Sequence, residues 1–300
     1  MRLRHTVLVT LLAVEALAGC ARPAPPRPHL QAPTGGGVIL GIDVGHHSME
    51  LFELSTTGQP PRRFTRIARG ISWVTANAHR LVVSSPLNGF DRVSEYTGSS
   101  FRIVEDRPSY LPTLARDGSL AYTRLVDEPA NHVEVVVAEP GNAPRVLGSA
   151  VGDALPAWGG PQRLAVLLEA GSEGARIELF DTGTGEVLST LNAPWAQNIF
   201  WAPGQPVAYN TNSAQHSGGV IDPATGVIRQ LPPGWYPLTW GPLPSQLLAT
   251  DRSRLAVVDP RTPSRIHPLP GIAPGPIRQA VWSGQPPRIT GVVTAGRPLS

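Results

Sequence analysis

From Val38 onward, apolar and polar positions alternate in short runs broken by glycine, proline and Thr-Gly pairs, and no run carries the period of a helix. The runs recur as a unit of roughly forty residues. Each unit has a short alternating stretch closed by Trp73, Thr113, Trp158, Trp201, Trp240 or Trp282. A second apolar run follows, as in Leu81-Val82-Val83, Leu120-Ala121-Tyr122, Leu164-Ala165-Val166, Val207-Ala208-Tyr209 and Leu247-Leu248-Ala249, and reads as the second strand of a hairpin. A third run enters a turn, as in Ile177-Glu178-Leu179-Phe180-Asp181 before Thr184-Gly185 and Val220-Ile221-Asp222 before Thr225-Gly226. The aspartate accepts local backbone N–H groups and the glycine supplies a positive φ, so the acids at these strand ends are structural. A fourth run, such as Phe101-Arg102-Ile103 or Val187-Leu188-Ser189, completes the unit.

Four short strands repeated six times predict an all-β, six-bladed β-propeller, with the tryptophans as wedges between blades. The last unit is incomplete after Trp282, and the first lacks its opening strand. Strand Ile277 to Trp282 is therefore expected to complete a blade that begins with Val38 to Val44 and continues through Met49 to Leu54 and Arg63 to Ile67. Ile289 to Val293 would remain peripheral. A seven-bladed ring is the alternative, but it leaves unpaired strand edges. The copies Trp201-Ala202-Pro203-Gly204-Gln205-Pro206-Val207-Ala208 and Leu114-Ala115-Arg116-Asp117-Gly118-Ser119-Leu120-Ala121 resemble the WD40-like repeats of TolB-type propellers. That resemblance implies a propeller from residue 38 to about 294 and leaves function open, because such repeats serve many partners.

The N-terminus departs from this pattern. Arg2 and Arg4 precede an apolar run, Thr6 to Ala18, that is too short to span a bilayer and right for the h-region of an export signal. It ends in Leu17-Ala18-Gly19-Cys20, which resembles the bacterial lipobox. The resemblance implies cleavage before Cys20, acylation of its sulfur and anchoring in membrane lipid on the extracytoplasmic side of the cell envelope. Cys20 is the only cysteine, so no disulfide competes for it. Residues 21 to 37 hold five prolines and a glycine triplet. Such a segment cannot build a core and serves as a tether reaching up to roughly 50 Å. The expected organisation is thus a signal peptide over 1–19, a lipidated cysteine and tether over 20–37, and a propeller over 38–300.

Composition narrows the function classes. Hydrophobic residues at 41% and charged residues at 16% fit a globular chain, while 31 glycines and 33 prolines disfavour long helices. The net charge of +3 comes from 25 arginines against 22 acids, spread without basic blocks, so no nucleic-acid partner is expected. No G-x-S-x-G, H-E-x-x-H, C-x-x-C or phosphate-binding loop is present, and no cofactor or metal is expected. The glycine-rich Asp181 to Gly185 joins two strands and reads as a turn.

Strand alternation gathers the loops after second and fourth strands at one end of a propeller. That end collects the imidazoles of His46, His47, His132 and His216, acids including Asp43, Asp91, Asp127, Glu169 and Asp251, and the aromatics Trp195, Trp235, Tyr236 and Tyr110. Aromatic platforms beside polar groups on a rigid scaffold suit recognition of an envelope protein or extracellular ligand. The expected function is a membrane-anchored, non-catalytic binding scaffold. The alternative is a propeller enzyme of hydrolase, lactonase or lyase type, whose acids and histidines would have to converge at the channel mouth. Arg62, Arg63, Arg66 and Arg69 surround an outermost strand, where charge discourages edge-to-edge pairing.

Overall fold

The computed structural model describes residues 37–45, 48–54, 62–63, 70–77, 80–87, 89–97, 100–127, 129–211, 216–241, 246–269 and 275–283. The predicted signal peptide, Cys20 and most of the tether lie outside these residues, as do His46, His47 and Ile289 to Val293.

The chain opens with β1 (Gly37–Gly45), β2 (Ser48–Leu54) and β3 (Arg62–Arg63). Blade 2 follows as β4 (Trp73–Ala76), β5 (Leu81–Leu87), β6 (Phe90–Tyr96) and β7 (Phe101–Ile103). Blade 3 is β8 (Ser109–Leu114), β9 (Leu120–Asp127), β10 (His132–Ala138) and β11 (Arg145–Val151). Blade 4 is β12 (Ala154–Gly160), β13 (Arg163–Leu168), β14 (Arg176–Asp181) and β15 (Val187–Asn192). Blade 5 is β16 (Ala196–Phe200), β17 (Val207–Thr211), β18 (Gly219–Ile221) and β19 (Ile228–Gln230). Blade 6 is β20 (Tyr236–Trp240), β21 (Leu247–Thr250), β22 (Leu255–Val258) and β23 (Ile266–Pro268), and β24 (Ile277–Ser283) comes last.

Among the described residues these strands form six four-stranded antiparallel sheets, which makes the fold a six-bladed β-propeller. Blade 1 has the order β24-β1-β2-β3 and so joins the two ends of the chain. Val38 pairs with Trp282 and Leu40 with Ala280, which closes the ring as the incomplete terminal units required. Among the described residues no edge of a seventh unit is left over.

Burial explains the strand patterns. Leu164, Ala165, Val166 and Leu167 of β13 are all buried, and so are the four residues of β22. Inner strands are covered on both faces by neighbouring blades, so their alternation collapses into a continuous apolar run. The outermost β19 is wholly exposed and retains Arg229 and Gln230. The core accordingly lies between blades. Val133, Val135 and Val137 of blade 3 pack with Trp158, Leu164 and Phe180 of blade 4, while Leu167 and Ile177 of blade 4 pack with Val207, Tyr209 and Ile221 of blade 5. Full burial of one such aliphatic side chain is worth ~1.5–3 kcal/mol.

The strand-end aspartates hold turns. Asp181 Oδ1 accepts the N–H groups of Gly183 and Thr184 at 2.9 and 3.1 Å, and Asp222 Oδ1 accepts those of Ala224 and Thr225 at 2.9 and 3.2 Å. Gly185 and Gly226 follow with φ of 78° and 70°, where a side chain would be strained.

The tryptophan frame needs one correction. Trp240 closes β20 opposite Leu247 as expected, and Trp158 stands opposite Leu164 two residues before the end of β12. Trp73 instead opens β4, and Ala76 takes the place opposite Leu81. The turn is responsible: Asn77 N–H donates to Arg80 O at 3.0 Å and Asn77 Oδ1 accepts Arg80 N–H at 2.9 Å, which pins the hairpin just past Ala76. In blade 3, likewise, Leu114 rather than Thr113 stands opposite Leu120.

The wedge role holds for Trp158, Trp240 and Trp201. Trp158 Nε1 donates to Thr113 O of the preceding blade at 3.2 Å, and Trp240 Nε1 donates to Phe200 O at 3.0 Å. Trp201 packs flat against Gly159 of blade 4, where a Cβ would fall 2.0 Å from its ring. A further clasp joins blade 1 to blade 2. The side-chain amide of Gln279 on β24 donates to Val74 O at 2.9 Å and accepts Val74 N–H at 3.0 Å.

Candidate functional site: the two mouths of the channel

The inner strands β4, β8, β12, β16, β20 and β24 surround a central channel whose two mouths differ in chemistry. The inner edges of these strands have no further strand to pair with, which is why Pro112, Pro156 and Pro237 are tolerated in β8, β12 and β20.

At the end gathering the loops after second and fourth strands, the mouth encloses ≈ 800 Å³ and is polar. Asp91, Tyr110, Asp153, Asn198, Tyr236 and Arg252 reach it from five different blades. Several are set by neighbouring groups. Asp91 of β6 accepts the hydroxyls of Ser72 and Ser84, which fixes its carboxylate against β5. Asn198 Nδ2 donates to Asn210 Oδ1 at 3.1 Å. Tyr110 precedes a bulge in β8, and Leu111 within that bulge has a φ of 55°. Burial, helped by the negative charge of Asp153, pushes the Tyr110 hydroxyl up to about 12, so it stays protonated at neutral pH.

Backbone strain gathers at this end. Leu111, Asn131, Glu169, Trp195 and Arg252 all have positive φ here, against Gln162 alone at the other end among the described non-glycine residues. Such conformations cost ~1–3 kcal/mol each and cluster at functional sites.

The candidates from sequence fall into three groups. Tyr110 and Tyr236 line the polar mouth, and the guanidinium of Arg252 lies 5.6 Å from the centre of the Tyr236 ring. Trp195 and His216 sit outside that lining, stacked on each other with centres 4.8 Å apart and planes 6° apart. Their pairing joins the loop that enters blade 5 to the loop before β18. Trp235 packs against the core cluster containing Leu231 and Trp240, with the Arg254 guanidinium 5.7 Å from its ring. His132 begins β10, half-buried, with its backbone paired to Asp127 and Val151 on either side. Among the described residues, no three His, Cys, Asp or Glu side chains come together closely enough to hold a metal ion.

Arg254 is itself placed by Asp251, whose carboxylate it meets at 2.6 Å. Burial would raise the Asp251 carboxyl, but hydrogen bonds from the Arg254 side chain and backbone and from Ser253 outweigh it and hold the group down to about 2.

The opposite mouth encloses ≈ 870 Å³ and is apolar, with Trp73, Trp158, Trp201 and Trp240 among its walls. Sequence reasoning missed it, because a tryptophan repeated once per blade reads as a wedge and the loops at that end are small. Trp158 and Trp240 are buried wedges, yet Trp201 and Trp73 are only half-buried. The prolines of the inner strands were the available signal: proline belongs on an unpaired edge, and that edge is the channel wall.

No sequence-family profile matches the chain, and no curated protein matches it by sequence. Solved structures do. TolB from Acinetobacter baumannii is similar with a TM-score of 0.63 at 12% identity, over 84% of this chain and 67% of that one. A chain of a nidogen/laminin complex is similar with a TM-score of 0.58 at 13% identity, over 83% and 98%. The WD40 β-propeller domain of Doa1 is similar with a TM-score of 0.50 at 11% identity, over 79% and 80%. At these identities the likeness is one of fold, and the TolB-like, WD40-like propeller suggested by the repeats is the fold this chain adopts.

Proposed function

We propose that the protein is an exported lipoprotein of the cell envelope, anchored through acylated Cys20, whose propeller is a non-catalytic scaffold that presents its polar channel mouth to another envelope protein or an extracellular ligand. The observation that carries this reading is the polar mouth itself. It combines an ≈ 800 Å³ opening, side chains from every blade and a cluster of positive-φ residues on a rigid ring. The protein complex of nidogen with laminin shows a fold of this kind within a two-protein assembly. The anchor rests on Leu17-Ala18-Gly19-Cys20 and the proline-rich stretch after it, which would hold the ring away from the bilayer.

The test is photo-cross-linking in intact cells. A photoreactive residue at Tyr236 is expected to capture a discrete partner that the same residue at Pro203, by the apolar mouth, does not. Equal capture from both positions, or none from Tyr236, would count against the polar mouth as the recognition face. Cys20→Ala is expected to move the protein from the membrane to the soluble fraction, and a wild-type mature mass without acyl chains would end the anchoring proposal.

A further inference from the structure

The polar mouth carries charge of both signs: Arg252 and Arg278 stand on the side of blades 6 and 1, where Asp43 of β1 also lies, Asp91 stands on blade 2, and Asp153 stands across the channel. Arg252 follows β21 with a φ of 78°, held by an N–H bond to Thr250 Oγ1 at 2.9 Å, while its carbonyl accepts Ile277 N–H at 2.7 Å. This lock seats its guanidinium over the Tyr236 ring. Arg278 is the next residue of β24, so blades 6 and 1 bring two exposed guanidiniums to one side of the mouth. Among the described residues, neither has an ion-pair partner. In a ring of six, blades 3 and 4 lie across from blades 6 and 1. There stands Asp153, exposed, beside Tyr110, with no hydrogen bond or ion-pair partner among the described residues. Between Asp153 and Arg252, blade 5 offers Asn198, whose Oδ1 is left to accept a further donor while its Nδ2 is spent on Asn210.

We infer that the polar mouth binds a zwitterionic ligand of short-peptide size, its free carboxylate gripped by Arg252 and Arg278 and its ammonium group by Asp153 across the channel. This deepens, and rests on, the reading of that mouth as the recognition face. Guanidinium forks match the two oxygens of a carboxylate, and a planar guanidinium already stacked on tyrosine loses less freedom on binding. A purely anionic ligand gains at the arginines but is repelled by Asp43, Asp91 and Asp153, and a purely cationic one meets the reverse. A molecule with a charge of each sign at its two ends meets Arg252 and Arg278 with one and Asp153 with the other. The volume of ≈ 800 Å³ suits such a ligand, since small-molecule sites span ~300–1,000 Å³. Asn198 can take a backbone N–H midway.

The experiment is calorimetric titration of the purified propeller-containing protein with trialanine, N-acetyl-trialanine and trialanine amide. Free trialanine is expected to bind, and blocking either end to weaken binding about tenfold or more. Arg278→Gln should erase the penalty for amidation while keeping the penalty for acetylation, and Asp153→Asn should do the opposite. Both side chains are exposed, and an unchanged circular-dichroism spectrum checks that the variants fold. Absence of trialanine binding, equal binding of the blocked peptides, or variants that weaken all three peptides alike would each overturn the inference. If those results came with continued cross-linking from Tyr236 to a protein partner, the recognition face would stand and only its zwitterionic ligand would fall.

Discussion

Gly159 is required by geometry, because the Trp201 ring occupies the space a side chain would need. Gly159→Ala should force the indole off blade 4 and cost ~1–3 kcal/mol, as overpacking does, read as a lower urea midpoint. Gly148→Ala is the control, since there a Cβ meets only Phe180 Cε1 at 4.0 Å, and little change is expected. Asp251 gives a pH-dependent counterpart. Its carboxyl is held at about 2, below the ordinary value of ~3.9, so its contribution is fully present above pH ~4 and is lost as pH falls through about 2. The pair with Arg254 lies at the surface, where such contacts are worth ~0.2–1 kcal/mol. Asp251→Asn should therefore lower stability slightly at neutral pH and remove this part of the acid limb. Acid titration of the two proteins, followed by thermal unfolding, would show it, and identical acid limbs would refute it.

At the level of elements, Gln279 does for two blades what a ladder does for two strands. Its amide meets both backbone groups of fully buried Val74. Gln279→Leu keeps much of the volume but strands a buried N–H and a buried C=O, each worth ~1–3 kcal/mol when left unmade. The expected loss is several-fold larger than for a surface glutamine such as Gln230 of the exposed β19, measured by denaturant unfolding. The elements themselves were legible in the sequence because turn chemistry and apolar runs are local. The Asp181 and Asp222 turns and the second strands of blades 2 to 6 follow from the residues alone. The register of β4 was not legible, because Asn77 sets the hairpin while Trp73 draws the eye. Nor was the partnership of Gln279 with Val74, which are joined only after the ring has closed. Of the polar mouth, the end at which it lies and the presence of Tyr110 and Tyr236 in its lining were readable from strand alternation. Arg252, Arg278 and Asp153 were not singled out, since nothing in an arginine's neighbours along the chain says that it lacks an ion-pair partner in space.

For the molecule as a whole, the ring is secured where its two ends meet. Removing residues from Ile277 onward deletes β24, unpairs β1 and strips Val74 of its clasp, so strong destabilisation or loss of the folded signal is expected. Removing only the residues after Gly284 leaves the β24–β1 pairing in place and should be mild, and equal damage from both truncations would refute closure as the decisive contact. The same arrangement has a consequence in time. Blades 2 to 6 are each complete within one continuous stretch of chain, but blade 1 must wait for β24. At synthesis rates of ~5–20 residues per second, β1 stays without its inner partner for on the order of 10–50 s after it is made. Throughout that interval the nascent ring is an open arc, and β24, the last of the described strands to emerge, is the one that closes it.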